Sequence, residues 1–266
     1  MSLQTQVEAA LGRRVARMAP LHGGDLSDVA RVELEGGGQV VAKTGPMVDC
    51  EARMLRTMQE AGAPVPEVLY AEQGLILLDY LEETPPGPEN WRALGAALAQ
   101  LHEAEGESYG WAEDYAFGPV EIRNGFQDTW PAFWADHRLR PFLDAAPREI
   151  AARLDTLCAR LPKLLPDRPR PALLHGDIWT GNALFSGDTA YLIDPASYYG
   201  DGEVDLAMLH LFGQPPAEFA KGYGALRDGH ERRQPIYQLF PALVHLRLFG
   251  AGYHGLVTRL LDRAGV

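Results

Sequence analysis

The chain has 266 residues, 46% of them hydrophobic, with 36 acidic against 24 basic side chains and a formal net charge of −12. That is enough apolar material for one large domain or two lobes, and the acidity excludes a generic binder of nucleic acid or anionic membranes, which needs clustered Lys and Arg. Cys50 and Cys158 are too few and too isolated for a disulfide framework or a zinc site. The first fifteen residues lack the apolar core of a secretory signal and no run approaches a membrane span, so a cytoplasmic protein is expected.

Leu3, Val7 and Leu11 recur at helical spacing and predict a short amphipathic helix. Two β-like runs, 15–18 and 29–34, flank a turn containing Gly23 and Gly24. Paired glycines there can bring backbone N–H groups close to phosphates, although they also mark ordinary hairpins. After a triple-glycine turn, residues 39–43 read as a strand ending in Lys43. A lysine so placed can reach nucleotide phosphates with a glutamate of the next helix as partner; Glu51, ahead of Met54, Leu55 and Met58, is the candidate, and a surface ion pair is the alternative. Residues 68–71 and 75–80 predict two more strands, followed by a Pro-rich connector at 84–88 that reads as an interlobe hinge. The backbone around Asp79 and Leu81, where that strand leaves the sheet, could pair with an adenine edge.

From Asn90, a candidate cap, the pattern turns helical through Trp91, Leu94, Leu98 and Leu101 and ends at His102, read as a packed residue. Residues 109–124 are rich in Gly and aromatics without a clear period and predict a long loop of the kind that lines sites. Trp130, Phe133, Trp134, Leu139 and Phe142 suggest one helix, and Pro147 opens another. Arg138 reads as a surface charge in preference to a substrate contact.

The stretch 173–196 carries the chemistry. It holds His175-Gly176-Asp177, then Asn182, then two short strands at 183–185 and 189–193 joined by a Gly-containing turn, then Asp194. Folding that hairpin brings Asp194 beside the loop with Asp177 and Asn182. Mg²⁺ on a nucleotide takes one or two carboxylates plus neutral oxygens, which suits Asn182 and Asp194 and leaves Asp177 to accept a proton from an attacking hydroxyl. This order of parts belongs to phosphoryl transfer by kinase-like enzymes, and HGD with DPA in place of HRD with DFG points to small-molecule acceptors. Asp205, near the start of the next helical segment, can accept backbone N–H bonds and hold the catalytic loop. The remainder predicts a helical tail interrupted at Pro241 and Gly250.

Taken together, HGDIWTGN, LIDPASYYGDGEVDLAMLHLFG and YQLFPALVHLRLFGAGY resemble the fructosamine kinase (ketosamine 3-kinase) family of the aminoglycoside-phosphotransferase and protein-kinase-like superfamily, almost end to end. The resemblance implies an α+β, bilobal protein-kinase-like fold with a small antiparallel-sheet lobe at 1–82 and a mainly helical lobe at 83–266. It implies ATP and Mg²⁺ as cofactors, Lys43 on the phosphates with Glu51, Asp177 as base, and Asn182 and Asp194 as metal ligands. His175 and Asp205 are expected to support the loop, with Trp179 beside the sugar of the substrate and Asn124 also at the acceptor. Tyr199 and Trp179 are candidate pocket walls or simply core. Where the family tends to carry Gln two residues before that Asn, this chain has Ile122. The implied reaction transfers the γ-phosphoryl of ATP to the 3-hydroxyl of a small-molecule or protein-bound ketosamine, by a monomer with no nucleic-acid or membrane partner, and serves deglycation. The rival expectations are another small-molecule kinase, of the aminoglycoside or choline type, and a non-catalytic nucleotide-binding regulator.

Overall fold

Alternating β-branched and polar residues in the first eighty positions pair into one antiparallel sheet. Its strands are β1 (Val15–Pro20), β2 (Asp28–Leu34), β3 (Gln39–Thr44), β4 (Val68–Glu72) and β5 (Leu75–Asp79), in the order β1-β2-β3-β5-β4. The coordinates come from a computed structural model and describe residues 2–21 and 27–266; the expected phosphate-loop glycines, Gly23 and Gly24, lie outside the described residues.

The twofold period of a strand decides what each face of the sheet buries. Val40 and Ala42 of β3 join Val32, Leu75 and Leu77 under Val7 of the first helix, α1 (Leu3–Leu11), whose N-terminus is capped by the Ser2 hydroxyl accepting from the Thr5 N–H. Val41 and Lys43 point the other way, with Ile76 and Leu78 of β5, toward helix α2 (Val48–Glu60). Thus the alternation that hides Ala42 beneath α1 turns Lys43 toward α2.

Past residue 80 the chain is mainly helical: α3 (Pro88–His102), α4 (Trp130–Phe133), α5 (Arg148–Leu164), α6 (Glu203–Leu209), α7 (Ala217–Tyr223), α8 (His230–Phe249) and α9 (His254–Ala264). Three two-stranded ribbons complete it: β6 (Tyr115–Phe117) with β7 (Val120–Ile122), β8 (Ala172–Leu173) with β11 (Tyr199–Gly200), and β9 (Ala183–Ser186) with β10 (Thr189–Leu192). One apolar cluster runs without a break from Leu55 and Met58 of α2 through Leu94 and Leu98 of α3 to Phe185 and Leu192 of the β9–β10 hairpin. The connector is tied to that hairpin, since the Thr84 N–H donates to the Phe185 carbonyl at 2.8 Å. Among the described residues no helix is long and apolar enough to cross a membrane.

Several elements differ from the sequence expectation for identifiable reasons. Asn90 is not the cap of α3: Pro88 starts the helix two residues earlier, and Asn90 sits in its first turn with Oδ1 accepting from the Gly87 N–H at 2.9 Å. The expected loop at 109–124 contains the β6–β7 hairpin, whose three-residue strands are too short to show a period. The helix expected around Trp134 winds as a π-helix over Trp134–Leu139 and then as a 3₁₀ turn. Helix α8 passes through Pro235 and Pro241 without ending, because residues from Pro235 to Val244 are buried and tertiary packing outweighs the missing backbone bonds. It stops at Gly250, which has φ +80°.

Helices α3 and α7 touch backbone to backbone: a Cβ on Gly95 would lie 2.2 Å from the Phe219 carbonyl oxygen, and one on Gly222 would lie 1.9 Å from that of Arg92. Gly95→Ala must push the helices apart and is expected to cost about 1–3 kcal/mol of stability, read as a lower urea midpoint at unchanged m-value.

Candidate active site

Lys43 is the meeting point of three elements. Its ammonium lies 2.7 Å from Glu51 Oε2, in the first turn of α2, and 2.8 Å from Asp194 Oδ1, just past β10. Side-chain exposure is 7% for Lys43 and 3% for Glu51, against 34% for Asp194. This is not the exposed ion pair that the sequence alone also allowed. Burial alone would lower the lysine pKa, but the two carboxylates outweigh it and hold it above its ordinary value, so Lys43 is charged. Burial pushes the Glu51 carboxyl up to about 6 against the pull of Lys43, so it too is ionised at neutral pH.

The HGD backbone is held from below by Asp205, which is fully buried in the first turn of α6. Its two oxygens accept from the His175 N–H at 2.7 Å and the Gly176 N–H at 2.9 Å, and one of them also meets His102 Nε2 at 3.0 Å. The other nitrogen of His102 faces the Tyr223 hydroxyl at 2.9 Å, so this histidine links α3, α6 and α7. Gly176 is required here: it has φ +82°, and a Cβ would lie 2.0 Å from the Ala196 carbonyl oxygen. His175 is buried and its two nitrogens are assigned by their partners. Nε2 donates to the Ile193 carbonyl at 2.9 Å, and Nδ1 accepts from the Asp177 N–H at 3.2 Å. Burial lowers its pKa, which agrees with this neutral tautomer.

Asp177 and Asn182 form a clasp. Asn182 Nδ2 donates to the Asp177 backbone carbonyl at 2.7 Å and to its Oδ2 at 3.1 Å. The Asp177 carboxyl keeps part of its surface open but is ringed by protein atoms; that burial pushes its pKa up to about 8, with the Asn182 bond pulling down and the charges of Asp194 and Asp205 adding to the rise. Asp194 has φ +55°, uncommon outside glycine, so its carboxylate is aimed at the cost of some backbone strain. The Ile193 N–H to Asn182 carbonyl bond, 3.1 Å, ties the two residues across the hairpin. Among the described residues no group of three or more His, Cys, Asp or Glu side chains could hold a metal by itself. Asn182 and Asp194 offer one amide oxygen and one carboxylate, a hard oxygen set that fits Mg²⁺ shared with nucleotide phosphates.

Other expected site residues are placed as follows. Trp179 is 42% exposed, its indole lying across the backbone of Gly181, where any Cβ would strike the ring. Asp79 is half-buried, with Oδ1 accepting from the Glu67 N–H at 2.5 Å, and Leu81 is half-buried at the start of the connector. Tyr199 is not brought to this cluster by any contact: its ring covers Gly106 and packs against Trp111 at 5.6 Å. Asn124 is buried and all its polar atoms are taken by the protein. It accepts from Arg138 on Oδ1 and from the Trp111 N–H on its carbonyl, and it donates from Nδ2 to the Glu113 carbonyl and from its backbone N–H to Asp114. The expectation of direct acceptor contact by Asn124 is therefore corrected to a role inside the loop.

Three residues were missed. Arg138 is fully buried, not a surface charge, and His102 belongs to the Asp205 network. The signal for Arg138 was present, since Trp130, Trp134 and Arg138 recur at four-residue spacing on one face. Tyr115 of β6 is the third. Burial first, then the charges of Glu51, Asp177 and Asp194, raise its phenol well above the usual range, and its ring packs against the core of the helical half beside Phe117 at 5.5 Å. Nothing in its sequence context marks it.

The model of the fructosamine kinase family matches residues 1–264. A probable ketoamine kinase from Thermus thermophilus is 38% identical over 252 residues, covering 91% of this chain and 92% of that protein. Among solved structures, a protein assigned as fructosamine-3-kinase from Thermobifida fusca superposes with TM-score 0.92 at 33% identity, over 99% of this chain and 98% of the other. An aminoglycoside phosphotransferase solved with AMP-PNP and hygromycin B shares the fold at TM-score 0.69 and 19% identity, over the whole of both chains. The fold is thus the α+β protein-kinase-like one.

The raised Asp177 pKa has a consequence for stability. Between the unfolded value near 3.8 and about 8, the folded chain holds a proton that the unfolded chain has released, so this group's contribution falls as pH rises through that window. In buffer free of nucleotide and divalent metal, Asp177→Asn is expected to raise Tm relative to the parent at pH 8, with the gain vanishing as the pH falls towards 4. Melting curves across that range check it.

Proposed function

The chain belongs to the fructosamine kinase family and is an ATP-dependent kinase, and from that premise we propose that it phosphorylates the 3-hydroxyl of ketosamines. The reading rests above all on one observation, the buried Lys43 ammonium bridging Glu51 and Asp194 beside the Asp177–Asn182 clasp. Lys43 neutralises phosphate charge, and Glu51 holds it at the right height above the sheet. Mg²⁺ bound by Asp194 and by Asn182 Oδ1, the end of the amide turned away from Asp177, would neutralise further charge on the nucleotide phosphates.

With the carboxyl ionised, a state that a cation bound beside Asp194 would favour by drawing its raised pKa down, Asp177 takes the proton of the acceptor hydroxyl as its oxygen bonds to the γ-phosphorus and ADP leaves with the bridging electrons. Asn182 orients that carboxylate, and the Asp205 bonds to the His175 and Gly176 N–H groups keep its backbone from drifting. Catalysis of this kind depends on positioning and charge, with no covalent enzyme intermediate. The indole of Trp179, exposed two residues from the base, is suited to lie against the sugar portion of a ketosamine. A phosphoryl group next to the ketone makes such an adduct labile, which supports a role in deglycation.

The test is Mg²⁺-dependent ADP release with ribulose-lysine and fructose-lysine, with choline and an aminoglycoside as rival acceptors. Turnover of a ketosamine is expected, with loss of about 10²–10⁴-fold in kcat in Asp177→Asn and of activity when Mg²⁺ is chelated. Turnover confined to choline or the aminoglycoside would sink the ketosamine assignment.

A further inference from the structure

Helix α2 reaches the site at two places. Glu51, in its first turn, holds the Lys43 ammonium. Three and seven residues further on, Met54 and Met58 follow Glu51 along one side of the helix. Both are fully buried, and both meet Ser197, itself fully buried, three residues past Asp194. The Ser197 N–H donates to Met54 Sδ at 3.2 Å, and its hydroxyl donates to Met58 Sδ at 3.5 Å. Among the described residues these sulfurs are the only acceptors that either group finds. A thioether is a weak acceptor, and a buried backbone N–H ordinarily ends on an oxygen. Packing alone does not account for the choice, since Leu55 and Met58 belong to the apolar cluster that joins α2 to the hairpin whereas Met54 stands outside it.

Ser197 lies in a strap fastened on both sides. On one side the Ala196 N–H donates to the His175 carbonyl at 2.9 Å, and the Tyr198 carbonyl accepts from the Leu174 N–H at 3.0 Å. The residues flanking Ser197 are therefore bonded to the HGD backbone. The Ser197 N–H between them is aimed the other way, at α2. One short segment thus sets α2 against both the HGD backbone and Asp194.

We propose that Met54 and Met58 are positioning residues for nucleotide binding: through Ser197 their sulfurs hold α2 at the height where Glu51 presents the Lys43 ammonium to the phosphates. This rests on the kinase reading above and deepens it. Without the sulfur at position 54 the Ser197 N–H is buried and unpaired. That penalty is relieved when α2 lifts far enough for water to reach the group, which draws Glu51 away from Lys43. Nucleotide binding must then close the lifted population, and its apparent affinity falls with the closed fraction. Asp177 and Trp179 follow the HGD backbone, whose Asp205 support is untouched, so acceptor contacts are spared. Neither methionine takes part in bond making.

The test begins with Met54→Leu, which keeps the volume and removes the acceptor. It is expected to weaken Mg·AMP-PNP binding, measured by calorimetry, by about tenfold, while the KM of a ketosamine at saturating ATP moves by less than about twofold. Met58→Leu and Ser197→Ala remove the two partners of one bond, so each should weaken nucleotide binding by about threefold and the double variant no further. In a Glu51→Gln background, which already loosens Lys43, adding Met54→Leu should cost nothing more. Exchange of the Ser197 amide should accelerate in Met54→Leu and slow again when Mg·AMP-PNP is saturating. Unchanged nucleotide affinity with a lower Tm would make both methionines packing residues and overturn the proposal. So would an equal rise in the acceptor KM, or a Met54→Leu loss that multiplies with that of Glu51→Gln. If Met54→Leu fails to fold, the Met58→Leu and Ser197→Ala variants decide by the same criteria. A parent that binds Mg·AMP-PNP but turns over no ketosamine sinks the acceptor assignment alone, because the nucleotide and exchange measurements need no acceptor.

Discussion

The site depends on one ammonium group being held between two carboxylates that come from different parts of the chain. Lys43 and Asp194 are 151 residues apart in sequence and 2.8 Å apart in space, and Glu51 reaches the same nitrogen from α2. Burial sets the stakes: removing Lys43 would strand the desolvated Glu51 carboxylate, which costs far more than an exposed pair ever contributes. The sheet, α2 and the β9–β10 hairpin are therefore locked to a common geometry at the point where charge must be managed. The continuous apolar cluster from α2 through α3 to the hairpin supplies the non-directional part of that locking.

The same logic recurs beneath the site. Asp205 is fully buried and is satisfied by two backbone N–H groups and His102, so its carboxylate can be accommodated only when the HGD backbone is in place. Asp201 accepts from Tyr237, whose hydroxyl accepts from the Trp130 indole, and it also pairs with Arg227; Glu203 takes Arg227 and Arg233. These polar groups add specificity to an otherwise apolar helical half, since each has a single satisfying arrangement. Arg138 stands apart, balanced by aromatic faces and carbonyls in place of an anion.

Much of this was legible along the chain because it is local. A β-like run ending in Lys43 marked that strand, helical spacing found α1 and α3, and a hairpin ending in Asp194 followed from two apolar runs around a glycine turn. Illegible features were those in which a distant partner decides. The cap of α3 moved because Pro88 accepts the first helical position, and Asn90 was then free to turn back to Gly87 and out to Gly187. Pro241 read as a break because the sequence does not show how completely that helix is enclosed.

By itself the sequence determined the order of chemical groups: a strand lysine, a helix glutamate, then Asp177, Asn182 and Asp194 at spacings that a loop and hairpin bring together. Only the tertiary structure decided which polar side chains are spent inside the protein and which face the cleft. Asn124 turned out to be fully committed, Tyr199 to be packing and Arg138 to be buried. The physical reason is that spacing along a chain constrains only neighbours within a turn or a hairpin. Burial and hydrogen-bond satisfaction, by contrast, are properties of everything packed around a group, most of it distant in sequence.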